Sequence, residues 1–327
     1  MDNTCSFESI AAAIAKHQNF LVISHFRPDG DAIGCSLALT HVLKALQKNV
    51  VVWNEDGLPE RFGFLPGAEW LQPSPNDVHT FDAVILVDTA VRNRAGQNTI
   101  KAAGAPTCWI NIDHHVSNDR LGDLVYVDSD APAAGQILFE LFSSSGYPIT
   151  KEIAICLYAA ISTDTGSFQF PSTTARTYEI VAQLIRFGVD VGWINQQLYG
   201  RNPRRRIELL RSMLNVLQFS GNERVASFSL SQQTAQELQI IADDTEGLID
   251  TIRALDGVVV AAFFEELPTG EIRISLRSKD QRVNVCEICA EFGGGGHRLA
   301  AGARLPGPLA QAQQRVLSTI CLLYTSP

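Results

Sequence analysis

Short apolar runs that end on polar clusters recur along the first half of the chain. Phe20-Leu21-Val22-Ile23 leads into His25-Phe26-Arg27-Pro28-Asp29-Gly30-Asp31, and an alanine- and leucine-rich stretch over 36–46 follows. That order predicts a buried strand, a tight turn and a helix. Residues 49–53 predict a second strand, 82–87 a third that ends on Asp88, and 108–112 a fourth that ends on Asp113-His114-His115. Helical spacing covers 7–16 and 133–144, and an apolar segment over 153–161 delivers Ser162-Thr163-Asp164-Thr165-Gly166-Ser167-Phe168 to a further turn. The stretch 56–75, punctuated by Gly and Pro, predicts a loop with short helical turns, in which Phe62, Phe64 and Trp70 pack locally. Ser172-Thr173-Thr174 caps a helix to Leu184 that Gly188 stops. Strands that alternate with helices indicate an α/β fold with a parallel sheet, in which ligands sit beyond the carboxyl ends of the strands.

The second half has a different rhythm. Residues 200–206 open a connector helix to about 217, and its Arg204, Arg205 and Arg206 either steer a polyanion or begin a solvated helix. Strands over 225–230, 258–265 and 272–277, with helical pieces between them, predict a smaller α+β domain. The expected division is therefore a first domain over 1–190, a linker helix over 191–222 and a second domain over 223–320. The tail 321–327 breaks the helical pattern and has no assigned role. Ser275-Leu276-Arg277-Ser278 precedes Phe292-Gly293-Gly294-Gly295-Gly296-His297. Four glycines in a row let backbone N–H groups approach an anionic ligand such as phosphate, the alternative being a flexible turn. Cys286 and Cys289 have zinc or redox spacing, but no second Cys/His pair accompanies them, and one helical turn apart they read as packing.

Composition narrows the partners. The 327 residues are 46% hydrophobic and 19% charged, which suits two soluble domains. A net charge of -9 and a pI of about 5.3 exclude a global basic field for long duplex nucleic acid, so a nucleic-acid substrate must be short or gripped locally. The seven cysteines are scattered, residues 1–18 lack a signal-peptide pattern, and no apolar run reaches membrane-spanning length. A cytoplasmic protein with reduced thiols and no membrane partner is the expectation.

His25, Asp29, Asp31, Asp88, Asp113, His114, His115 and Asp164 gather, on this reading, at strand ends. So many carboxylates at one edge repel unless a cation neutralises them. An Asp-Gly turn with a helix cap would account for Asp29 alone but not for the set. Carboxylate and imidazole together supply ligands for two divalent ions about 3.5–4 Å apart that share one carboxylate. Mixed His/Asp ligation favours Mn²⁺ over Mg²⁺ and is compatible with zinc. Such a pair activates water for in-line attack on phosphorus, which is the hydrolysis of a phosphate ester.

In order and context, His25 with Asp29-x-Asp31, then Asp88, then Asp113-His114-His115, then Asp164-Thr165-Gly166 resemble the four motifs of the DHH phosphoesterase superfamily. The run from Gly293 to His297 with Arg277-Ser278 resembles the DHH-associated C-terminal domain, and the two-domain length is similar to the branch of bifunctional oligoribonucleases and PAP phosphatases (NrnA-type). The resemblance implies a parallel-sheet N-terminal DHH domain, a smaller α+β C-terminal domain and an active site in the interdomain cleft. It implies that His25, Asp29 and Asp88 hold one ion and that Asp31, Asp88, His114 and Asp164 hold the other, with Asp88 bridging. Asp113 would then orient a histidine from behind, His115 would face the substrate phosphate, and Arg277, Ser278, Gly294, Gly295, Gly296 and His297 would contact a nucleotide. The implied reaction is metal-dependent hydrolysis of short oligoribonucleotides or 3'-phosphoadenosine 5'-phosphate (pAp), in a chain compatible with a homodimer. A cyclic- or linear-dinucleotide phosphodiesterase stays open as an alternative. A catalytically inactive nucleotide-binding protein is the non-enzyme alternative, against which the intact ligand set argues. Against a nicotinamide dehydrogenase, the first strand-helix turn offers His-x-x-x-Asp-Gly-Asp where G-x-G-x-x-G would be needed.

Overall fold

The apolar runs become strands. In the computed structural model, which describes residues 4–324, they are β1 (Asn19–Ile23), β2 (Asn49–Asn54), β3 (Leu71–Pro73), β4 (Ala83–Val87), β5 (Cys108–Asp113) and β6 (Leu124–Val127). All six pair in parallel in the order β3-β2-β1-β4-β5-β6. β4 is buried along its whole length and β1 along all but its first residue, so both read as continuous apolar runs rather than alternating ones. Strand order grows outward from β1 on one side and from β4 on the other. The loops leaving these two strands therefore part, and the crevice they leave is where such sheets bind ligands.

Two helices explain how the remaining polar residues reach that edge. The first spans Gly30–Ala45, starting at Gly30 rather than at Ser36 because the Asp29 side chain caps it and accepts the N–H groups of Asp31 and Ala32. The second spans Lys151–Asp164. They run antiparallel in close contact, with an added Cβ at Gly34 lying 2.5 Å from the Cys156 carbonyl oxygen and one at Gly30 overlapping Thr163. The absent side chains bring the end of the second helix beside the start of the first. Asp164 is thus the last residue of a helix and not, as expected, the end of a strand. Both helices are buried almost all round, which erases the one-sided periodicity that would have identified the second as helical. The expected loop over 56–75 contains the short helical turns Glu60–Phe62 and Ala68–Trp70 and, beyond expectation, β3. Thr174 caps Ala175–Arg186 through a reciprocal pair with Thr177.

The chain divides into two compact units at Arg201/Asn202. The Val191–Tyr199 helix falls in the first and the Arg204–Asn215 helix in the second. The second unit holds β7 (Gln218–Ser220), β8 (Val225–Leu230), β9 (Val260–Glu266), β10 (Glu271–Ser278), β11 (Gly295–His297) and β12 (Ala300–Pro306). Their order is β11-β12-β10-β9-β8-β7, with β8 and β9 parallel and the other neighbours antiparallel. Alternate residues of β10 are buried, and Ile272, Ile274 and Leu276 face a core shared with Val285, Ile288 and Val316. The Leu309–Tyr324 helix continues into the stretch expected to break it, and residues 325–327 lie outside the described part of the chain. Among the described residues no helix is long and apolar enough to cross a membrane.

Candidate metal centre

Three strand ends and two helix ends deliver the centre. His25 follows β1, Asp88 follows β4, and Asp113 closes β5 with His114 and His115 next in the chain. Asp88 holds a positive φ of 50°, uncommon outside glycine, and its N–H is tied to the Ile112 carbonyl at 3.0 Å. Asp29 and Asp31 stand at the start of the Gly30–Ala45 helix. Asp31 is clamped from a third helix, Ala134–Ser144, whose first amides donate to it from Ala134 at 2.6 Å and from Gly135 at 2.9 Å.

These residues form three overlapping groups whose ligand atoms lie within 4.8 Å of one another: His25, Asp29 and Asp88; Asp31, His114 and Asp164; and Asp88, Asp113, His114 and His115. Asp88 belongs to two of the three groups, and His114 links it to the third. Its Oδ2 is 3.4 Å from His25 Nε2, and its Oδ1 is 3.4 Å from His114 Nε2 and 3.6 Å from His115 Nδ1. His114 Nε2 also lies 3.2 Å from Asp164 and 3.9 Å from Asp31. The His114 Nδ1 lies 3.2 Å from the Ala131 carbonyl, which holds that nitrogen as the donor and turns Nε2 to the carboxylates. Asp113 does not point at His114. It pairs with His115 Nδ1 at 2.8 Å, and its other oxygen accepts from Asn118 at 2.6 Å.

The electrostatics are those of carboxylates crowded out of water. Burial and the charge of Asp88 push the Asp31 carboxyl up to about 7. Burial, with Asp31 and Asp29 close by, raises Asp164 as well. Burial alone would lower the histidines, but the hydrogen bond and charge of Asp88, with Asp29 beside His25, hold that ring at about 9. Asp88, Asp164 and Asp31 likewise hold His114 at about 11. Burial opposes ionisation of Asp88, yet the imidazoles of His114 and His25 beside it outweigh burial and keep its carboxyl below the usual range. Protons on two imidazoles thus do the neutralising that a cation does better. Asp88 Oδ1 is buried and has no hydrogen-bond partner, which is the state of a ligand atom awaiting a cation. The donor set of imidazole nitrogen and carboxylate oxygen fits a divalent ion.

Comparison with known proteins settles the lineage. A model described as the DHH family, N-terminal domain, matches residues 19–161, and one described as the DHHA1 domain matches 223–324. A bifunctional oligoribonuclease and PAP phosphatase NrnA from Thermus thermophilus is 33% identical over 303 residues, covering 91% of this chain and 88% of that protein. The chain belongs to the DHH family. A second NrnA, from Bacillus subtilis, is 29% identical and covers 89% of this chain and 91% of its own. The crystal structure of an exopolyphosphatase-related protein from Bacteroides fragilis superposes with a TM-score of 0.89 at 26% identity, over 98% of this chain and 96% of that one. This DHH protein is a metal-dependent phosphoesterase, a hydrolase with a His/Asp cluster suited to divalent metal.

The DHHA1 residues singled out from the sequence lie together on one side of its sheet order. Gly295 to His297 form the exposed edge strand β11, paired with β12, where an open loop was expected. Gly296 is required by that pairing, since its φ is 144° and an added Cβ would meet the Ala300 carbonyl at 2.6 Å. Gly295 has open space around it, so nothing in the fold demands glycine there. Arg277 and Ser278 end β10. The Ser278 side chain is fully buried, its hydroxyl donating to the Asp280 carbonyl and accepting the Asp280 N–H, both at 3.0 Å. Three neighbours of the DHH centre had no sequence signal: Asn118, which holds Asp113; Cys35, whose thiol lies 3.1 Å from Asp31; and Arg94, whose Nη2 lies 2.9 Å from His25 Nδ1. Each acts across a contact that only the tertiary structure makes.

Proposed function

We propose that this DHH phosphoesterase hydrolyses short oligoribonucleotides and pAp with two divalent ions, Mn²⁺ in preference to Mg²⁺. The observation that carries the reading is the position of Asp88, one buried carboxylate within reach of both histidine–aspartate groups. The names of the relatives that match about nine-tenths of the chain support the substrate class. His25, Asp29 and Asp88 would hold one ion, and Asp31, Asp88, His114 and Asp164 the other. Bound there, such ions acidify water and offset charge that develops on phosphoryl oxygens.

The rest is the work of the chain's own groups. The Ala134 and Gly135 amides fix Asp31, and the Ala131 carbonyl fixes the ring of His114, so the ligand geometry is set before any substrate arrives. Burial works against a charge on His115, but its hydrogen bond to the Asp113 carboxylate and the charge of Asp88 raise its pKa. With Nδ1 committed to Asp113, the other ring nitrogen is the one to donate to a phosphate oxygen or to a departing alkoxide. Arg277, Gly294, Gly295, Gly296 and His297 are proposed to hold the nucleotide, with Ser278 keeping the end of β10 in shape through Asp280. The test is a panel in Mn²⁺ of pAp, a diribonucleotide, a five-nucleotide RNA, cyclic di-AMP and pyrophosphate. Turnover of the first three above the last two is expected. Cyclic di-AMP as the best substrate would move the assignment to the cyclic-dinucleotide phosphodiesterases, and binding without turnover would make the protein a nucleotide-binding one.

A further inference from the structure

The chain leaves the Lys151–Asp164 helix in an unusual way. Gly166, Ser167 and Phe168 take left-handed backbone in succession, with φ of 56°, 57° and 65°. Glycine does so without strain, but Ser and Phe do not, and such strain persists only where the surroundings fix it and tends to mark functional sites. Here the Ser167 N–H donates to the Ser162 carbonyl at 2.7 Å and the Phe168 N–H to Thr165 Oγ1 at 3.0 Å. The consequence is a division between two aromatic rings. Phe168 turns against Tyr158, with ring centroids 5.8 Å apart. Phe170 instead lies over Gly166, where an added Cβ would overlap its ring, and remains 42% exposed. Its backbone is pinned on both sides, the Phe170 N–H donating to the Thr165 carbonyl at 3.0 Å and its carbonyl accepting from Thr173 at 3.0 Å.

An ordered, exposed aromatic ring therefore stands over a backbone position two residues beyond Asp164. Successive Cα atoms are about 3.8 Å apart, so Gly166 lies within roughly 7.6 Å of Asp164 along the chain. We propose that Phe170 is a stacking platform for a nucleobase of the substrate whose phosphate is held at the Asp88–Asp164 centre. The proposal rests on the nucleotide reading above and deepens it by assigning the base a subsite on the DHH unit. An aromatic face is what a base of any identity needs, so the subsite accepts bases without selecting among them.

The test pairs a change in the protein with a change in the substrate. kcat and KM are measured for pAp and for the same bisphosphate lacking its base, in the wild type, Phe170→Ala, Phe170→Trp and Phe187→Ala. Phe187 is also 42% exposed but follows the Ala175–Arg186 helix and serves as the control. Loss of one base–aromatic stack costs about 5- to 150-fold. Phe170→Ala should lose that much on pAp, chiefly in KM, and nothing on the abasic analogue, while Phe170→Trp and Phe187→Ala behave as wild type. In parallel, a dinucleotide containing 2-aminopurine should be quenched on titration with wild type and not with Phe170→Ala. Equal losses on both substrates, or none on either, would overturn the platform while leaving the nucleotide reading intact. A wild type that ignores pAp and dinucleotides yet hydrolyses bis-p-nitrophenyl phosphate would overturn the nucleotide reading itself, and the platform with it.

Discussion

His25, Asp31, Asp88 and Asp113 are at most 5% exposed, whereas Gly295, Gly296 and His297 are exposed along the whole of β11. The DHH centre is made of charged side chains taken out of water, and each is held by at least one other group: Asp31 by two helix amides, Asp113 by Asn118, His115 by Asp113, His25 by Arg94. The glycine edge of the DHHA1 unit offers backbone and open space. Buried like charges are costly until neutralised, so the first region must be over-determined, and losing one member disturbs the rest. The second carries little electrostatic cost and can change without collapsing anything. Substitutions should therefore abolish chemistry in the first region and alter selection in the second.

The largest effect is expected at Asp88. Asp88→Ala removes the carboxylate that lies against both His25 and His114, so activity should vanish and bound metal, measured by elemental analysis, should fall. More than a few per cent of activity with full metal content would break the comparison at its centre. Asp113→Ala touches a residue that orients His115, and outer partners of this kind cost about 10- to 100-fold. A collapse as complete as that of Asp88→Ala would mean that Asp113 is itself a ligand, as its place in the Asp88, His114 and His115 group allows. In the DHHA1 unit, Arg277→Ala and His297→Ala should lose about 10-fold in kcat/KM on pAp and a diribonucleotide, the scale of one hydrogen bond to a charged group. Bis-p-nitrophenyl phosphate should suffer less and metal content not at all. Uniform loss on all three substrates would place these two residues in the chemistry.

The same contrast explains what the sequence disclosed. Strand ends were legible because β1, β4 and β5 are largely apolar runs with a carboxylate or histidine at or just past their ends, and the clustered His and Asp side chains lie there. Asp164 lies beside His114 and Asp31, but at the end of a helix and not of a strand. A helix buried on every side has no polar stripe, and a short apolar run cannot be told from a strand by periodicity. β3 and β6, three and four residues long, are too short to carry a pattern. The edge strand β11 was hidden because glycine has poor strand propensity, and its pairing depends on the small residues of β12 across from it. Asn118, Cys35 and Arg94 were invisible for a different reason, since their roles depend on which strand ends lie side by side.

The smallest effect tests the electrostatics directly. Without metal, Asp31 titrates at about 7 instead of the ordinary 3.8, and His25 at about 9 instead of 6.5. A raised folded-state pKa means that the stabilising proton is fully bound below the ordinary value and is lost as pH rises through the folded one. The Asp31 contribution is therefore spent by about pH 7 and that of His25 fades from about pH 6.5 to 9, so the metal-free protein loses stability across pH 6 to 9, first through both groups and above pH 7 through His25. A divalent ion takes the place of those protons, so the loaded protein should feel the same pH change far less. Melting curves in chelator and in Mn²⁺ at pH 6, 7, 8 and 9 should show one cooperative fold in both, because the sheet core does not rest on the metal. The gap in Tm should widen with pH by a few degrees, at about 2–4 °C per kcal/mol for a unit of this size. Metal binding should release protons and tighten over the same range, which calorimetry in buffers of different ionisation enthalpy reads independently. A gap that stays constant from pH 6 to 9 would mean that the ions bind away from Asp31 and His25, and unfolding of the chelated protein below room temperature would mean that the fold needs them.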